Sequence, residues 1–117
     1  MSKDPLIILQ HILECIEKIE KYTKNCSKER FIKNEMLHDA VIKKLEVIGV
    51  EVKQLMIDFT SKYPQVEWSD LARTRDKLAH NYFGIDLGIT FTIIEDDLPL
   101  LKEKIVKIIK DLKKNIK

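Results

Sequence analysis

Glycine is nearly absent from this chain: three occur in 117 residues, and Gly49 is the only one among the first 83. Neither G-x-G-x-x-G nor G-x-x-x-x-G-K-[ST] can be written anywhere, which removes the glycine-cradled phosphate loops of Rossmann and P-loop nucleotide enzymes. With only three prolines as well, the chain lacks the punctuation of a turn-dense all-β fold. Two cysteines, Cys15 and Cys26, are too few for a disulfide scaffold and match no C-x-x-C spacing, so reduced thiols and a cytoplasmic setting are expected. No apolar run approaches the ~18–20 residues of a membrane span. Lys3, Asp4 and Pro5 ahead of an amphipathic stretch do not read as a signal peptide.

What is present is a helical pattern. Apolar residues make up 44% and charged residues 34% of the chain, which fits a single domain over 1–117 with a modest core. The net charge of +2 is unevenly spread. Residues 102–117 hold seven lysines against Glu103 and Asp111, a local balance of +5, and the rest of the chain sums to −3. A lysine-rich helix end that complements the helix dipole explains this tail without a phosphate ligand.

Leu6, Leu9, Leu13 and Ile16, widened by Ile12 and Ile19, predict a helix from about Asp4 to Thr23. Ser27 is placed to cap a short helix beginning at Lys28. Leu37, Val41, Leu45, Ile48, Val52, Leu55 and Phe59 then recur at steps of three and four, predicting one helix of about six turns that ends at Tyr63-Pro64. Gly49 inside it suggests close helix packing or a slight weakness, since glycine costs ~1 kcal/mol against alanine at such a site. Trp68, Leu71, Ala72, Leu78 and Ala79 mark a further helix from Glu67 to about Tyr82, followed by a loop over Gly84–Gly88. Phe91 to Leu112 reads as one amphipathic element interrupted near Pro99, with Asp96 or Asp97 as a new cap. The expected fold is all-α: an up-and-down bundle of four main helices and a short one, with a kinked last helix.

Most of the reactive side chains have plain explanations. Glu35 and His38 form one Glu-x-x-His pair, but a di-iron bundle needs two, and His11 with Cys15 supplies only two ligands. No metal or cofactor is called for. Ser2, Ser27, Ser61 and Ser69 lie at expected helix boundaries, where capping accounts for them. The segment Leu71-Ala72-Arg73-Thr74-Arg75-Asp76-Lys77-Leu78-Ala79-His80-Asn81-Tyr82-Phe83 is denser. Histidine exchanges a proton near neutral pH, and arginine offers a planar, permanent charge matched to phosphate oxygens. Together they suit metal-independent phosphodiester cleavage, in which a base takes the proton of a ribose 2′-hydroxyl while a cation steadies the phosphate.

Arg75-x4-His80-x-Tyr82 resembles the R-x4-H-x-Y motif of HepT-like toxins, a branch of the HEPN ribonucleases. Tyr63-Pro64, Trp68, the run from Arg75 through Asp86, and Asp97-Leu98-Pro99 resemble that family's signature in order, and Leu37-His38-Asp39-Ala40-Val41 resembles the start of its long helix. The resemblance covers effectively the whole chain. It implies an all-α RNA endonuclease toxin, active as a homodimer with a composite cleft and paired with an MNT-type nucleotidyltransferase antitoxin that adenylylates Tyr82. Arg75 and His80 carry over as catalytic residues. Asp76 takes the supporting position where the family often has asparagine.

On an ideal helix Arg75 and His80 diverge by about 140°, whereas Arg73 and His80 nearly coincide, so Arg73 is the alternative arginine. The rival reading is a non-catalytic helical dimer that binds a nucleotidyltransferase or a nucleotide, with Arg75 and His80 as ligand contacts.

Overall fold

The computed structural model describes residues 4–80 and 86–114, with the backbone alone described over 75–80. Its elements are α1 (Pro5–Tyr22), α2 (Lys28–Lys33), α3 (Glu35–Lys53), α4 (Ile57–Thr60), α5 (Trp68–His80), α6 (Leu87–Thr92) and α7 (Leu98–Lys114), with a π-helical turn, Ile93–Asp97, joining the last two. No strand occurs among the described residues, and no helix there is long and apolar enough to cross a membrane.

Helix starts follow the capping chemistry of the sequence. Asp4 accepts the Leu6 N–H, Ser27 the Arg30 N–H and Asn34 the Leu37 N–H, each satisfying an amide that has no intrahelical partner. Ser27 is the one described serine with the expected capping bond. Ser61 follows the end of α4 and Ser69 lies inside the first turn of α5, while Ser2 is outside the described residues.

The core is built around α1. Ile8, Leu9, Ile12, Ile16 and Ile19 are fully buried, because α3 packs on one side of this helix and α7 on the other. Burying each such side chain contributes about 1.5–3 kcal/mol. From α3 come Val41, Ile48 and Val52, and from α7 Leu98, Ile105 and Ile108. Gly49 is buried in α3. α5 also packs on α3, and α2 bridges α3 and α6. Phe31 on α2 is completely buried, with its ring 5.3 Å from that of Phe91.

Three boundaries differ from expectation. The long helix stops at Lys53 instead of running on toward Tyr63: Gln54 and Leu55 donate to Glu51 and Val52 in a tightened last turn, and Met56 is extended. The break turns Phe59 back, so that its ring meets Tyr63 at 5.0 Å and Trp68 at 6.2 Å. Trp68 Nε1 also donates to the Tyr63 carbonyl at 2.9 Å.

The loop read over Gly84–Gly88 ends earlier, at Asp86, whose side chain accepts the Ile89 N–H and starts α6 with Gly88 inside it. Pro99 produces neither a restart nor a new cap at Asp96 or Asp97. Thr92, Ile93 and Leu98 keep helical backbone angles, and the Leu98 N–H donates to the Ile93 carbonyl five residues back. Widening the turn before a proline moves the carbonyls that its ring would strike and lets the helix continue.

Candidate functional site

The motif segment occupies the C-terminal half of α5. Arg73, Arg75, Asp76 and His80 all lie on this one helix, which is described as far as His80. Its backbone sets Arg73 and His80 on one side and turns Arg75 about 140° away from His80. The side chains of Arg75, Asp76 and His80, and the whole of Tyr82, fall outside the described residues. Arg73 is exposed, and its guanidinium pairs with Asp70 one turn earlier on α5. That i, i+3 pair occupies the alternative arginine with a local partner.

A groove of about 780 Å³ runs between α5 and the continuous α6–α7 helix. It exists because α5 packs on α3 and α7 on α1, which leaves the two motif-side helices apart. Its floor is apolar, with Leu45, Ile48, Val66, Leu71, Ile93 and Leu98 among the lining side chains. Ile89 and Leu100 line it while remaining 61% and 56% exposed. Among the described residues, the charged side chains lining it are Glu67, Asp70, Asp86 and Asp97 against Lys104. Hydrogen bonding to Asp70, together with that carboxylate's charge, holds the Glu67 carboxyl above its ordinary value.

One contact at the start of α6 was not legible in the sequence. Lys28, the first residue of α2, lies across the start of α6: a β-carbon built at Gly88 would stand 3.1 Å from Lys28 Cε and 3.5 Å from its ammonium nitrogen. Sixty residues separate the two in sequence, and no spacing signal links them.

The other reactive groups are structural. His38 packs edge-on to Phe31, with Nδ1 3.3 Å from Asp39. His11 Nδ1 stands 3.7 Å from the carboxylate of buried Glu51, joining α1 to α3. Cys15 is buried in the core beside that pair, and burial pushes its thiol pKa up. No group of three His, Cys, Asp or Glu side chains among the described residues is arranged to hold a metal ion.

Comparison with known proteins gives the family. A family described as "Ribonuclease HepT-like" matches residues 12–108. A Methanocaldococcus jannaschii protein named "Gamma-glutamylcyclotransferase and putative RNase" is 46% identical over 115 residues, covering 98% of this chain and 52% of that protein. The chain thus spans about half the length of that relative. A second protein of the same organism, named "Putative RNase", is 43% identical over 111 residues, 95% of this chain and 92% of its own. "Probable ribonuclease HepT" of Thermococcus cleftensis is 39% identical over 100 residues, 86% of this chain and 91% of its own. No solved structure matches the chain at a significant level. An all-helical chain matched from α1 to α7, with full-length relatives at about two-fifths identity, belongs to the HepT-like ribonuclease family.

Proposed function

We propose that this protein is a metal-independent RNA endonuclease, the toxic half of a toxin–antitoxin pair, acting on RNA in the cytoplasm. His80 takes the proton from a ribose 2′-hydroxyl. The 2′-oxygen then bonds to the adjacent phosphorus as the bond to the 5′-oxygen breaks, and a proton is returned to that leaving oxygen. Arg75 steadies the charge gathered on the phosphate, and Asp76 supports the arginine. The observation that carries this reading is the ordered Arg75, His80 and Tyr82 spacing at the end of α5, in a chain of a ribonuclease family. Purified protein cleaves RNA in the presence of a chelator and the His80→Ala variant does not. Equal inertness of both on every RNA tried rejects the catalytic role.

Regulation and assembly follow from the same site. An MNT-type nucleotidyltransferase transfers adenylate from ATP to the Tyr82 hydroxyl and releases pyrophosphate. The added phosphate then stands two residues from His80, where its charge and bulk oppose the substrate phosphate. A second copy completes the cleft, since a 117-residue domain has little room for a deep pocket of its own. The exposed apolar side chains of Ile89 and Leu100 beside α5 support an associating surface on this side of the molecule. Sedimentation at micromolar concentration reads the assembly directly: a dimer is expected, and a monomer rejects the composite cleft.

A further inference from the structure

The basic end of α7 is arranged as a line. Lys107, Lys110 and Lys114 follow one another at steps of four and three and are all exposed, so they share one face and span about 10 Å of the helix axis. That face stands opposite Ile105, Ile108 and Ile109, which are buried in the core. Lys113, also exposed, flanks the line on the side of Lys102. None of these four lysines forms an ion pair among the described residues. Of the two acids on α7, Glu103 precedes the line by a turn and Asp111 accepts the Tyr63 phenol. The Lys102–Glu20 pair at 2.8 Å sets the start of α7 against the end of α1. The lysines therefore lie along residues 5–13 of α1, which hold no carboxylate. The helix dipole accounts for Lys113 and Lys114 in the last turn, but it fades within that turn and does not reach Lys107. Like charges at these spacings repel one another, so the line costs the helix stability, and a linear polyanion relieves that repulsion. Leu100, outside the line, is the only large apolar side chain exposed on α7 among the described residues, so this face has nothing to insert into a bilayer.

We infer that the line of Lys107, Lys110 and Lys114 is an RNA-binding track that holds the phosphate backbone of a single strand away from the scissile bond. The inference rests on the ribonuclease reading above, which makes RNA the polyanion at hand. The Tyr63–Asp111 hydrogen bond places this end of α7 beside the start of α5. From there α5 runs twelve residues from Trp68 to His80, a rise of about 18 Å. Only an RNA of several nucleotides reaches from the track to the motif, so the track favours long substrates over short ones. Its loss raises KM for a long strand, leaves kcat within about twofold and does not change the turnover of a dinucleotide.

The test uses a fluorescent single-stranded 2′-O-methyl RNA, which has no 2′-hydroxyl to attack, and reads its anisotropy across a salt series. The triple variant Lys107→Gln, Lys110→Gln, Lys114→Gln is expected to bind roughly tenfold or more weakly than wild type. Its salt slope should be shallower by about 2, the sum of three phosphate contacts on a single strand at ~0.7 each. Lys110→Gln alone should lower the slope by about 0.7, so the question stays decidable if the triple variant fails to fold. A control, Lys18→Gln, Lys21→Gln, Lys24→Gln, removes the same charge from exposed lysines around the end of α1 and should bind like wild type. Wild-type affinity and slope in the α7 variants overturn the inference. So do an equal loss in the control, failure of the wild type to bind, or tighter binding to poly-glutamate or phosphatidylserine vesicles than to RNA. If His80→Ala still cleaves RNA, the catalytic reading fails while the anisotropy series still decides the track. If His80→Ala is inert but the α7 variants bind normally, the track fails alone.

Discussion

The Tyr63 phenol donates a 2.6 Å hydrogen bond to Asp111 Oδ2, tying the turn before α5 to the last turns of α7 across 48 residues of sequence. With the Trp68 indole on the Tyr63 carbonyl, this bond fixes where α5 begins and therefore the direction in which it carries Arg75 and His80. Accepting this bond makes Asp111 hold the phenol above its ordinary pKa of about 10. Tyr63→Phe is expected to cost about 1 kcal/mol at neutral pH and to lower the melting temperature by a few degrees. A folded-state pKa above the unfolded one means that this stabilisation is complete below about pH 10 and disappears as pH rises through the folded value. Melting curves of the two proteins should therefore converge in strong alkali, and an equal gap at every pH rejects the assignment.

The helical fold was largely legible in the sequence because its signals are local. The α1 stripe, the Asp4 and Ser27 caps and the restriction before Pro64 each act within a few residues. What escaped was set by distant partners. Phe59 continued the α3 pattern perfectly well, and only its contacts with Tyr63 and Trp68 break the helix. Pro99 signalled an interruption, yet a widened turn and a new start are both valid solutions to the same missing N–H. At the candidate site the order of Arg75, His80 and Tyr82 was readable, while Lys28 against Gly88 depends on α2 packing over α6.

Packing around α1 gives a second test. Ile12 is fully buried between α3 and α7, so Ile12→Ala is expected to destabilise the protein by about 2–5 kcal/mol. Denaturant titration with an unchanged slope would show loss of stability without a change in the state reached. A loss below about 1 kcal/mol would mean that the site collapses freely around the smaller side chain.

Choosing between the two arginines needs only kinetics. Arg73 is held by Asp70, so Arg73→Ala should leave RNA cleavage within about tenfold, whereas Arg75→Ala should lose roughly 10²–10³ in kcat, as expected for removal of a transition-state charge partner. The reverse ranking would transfer the phosphate-stabilising role to Arg73.

Adenylylation is read most directly by mass. Co-expression with the proposed MNT-type nucleotidyltransferase should add mass in units of adenylate to the wild type and none to Tyr82→Phe. Modification that persists in Tyr82→Phe would move the target to another residue. An unmodified wild type beside an active partner would reject this form of control.

Thiol labelling reports on the core. Cys15 is buried with its thiol pKa pushed up by desolvation, while Cys26 is only partly covered. Iodoacetamide at neutral pH should modify Cys26 well before Cys15, since the thiolate is the reactive form, and the difference should vanish in denaturant. Equal rates in the native protein would show that α1 opens readily.

The position of α1 also governs when the protein can exist as such. One of the two helices that cover its isoleucine stripe is α7, whose contacts with it lie up to about a hundred residues further along. Until α7 has left the ribosome, α1 can find only α3, and the nascent chain keeps an uncovered apolar face. Closure of the core therefore waits for α7, and α5 gains its anchor at Asp111 at that same point.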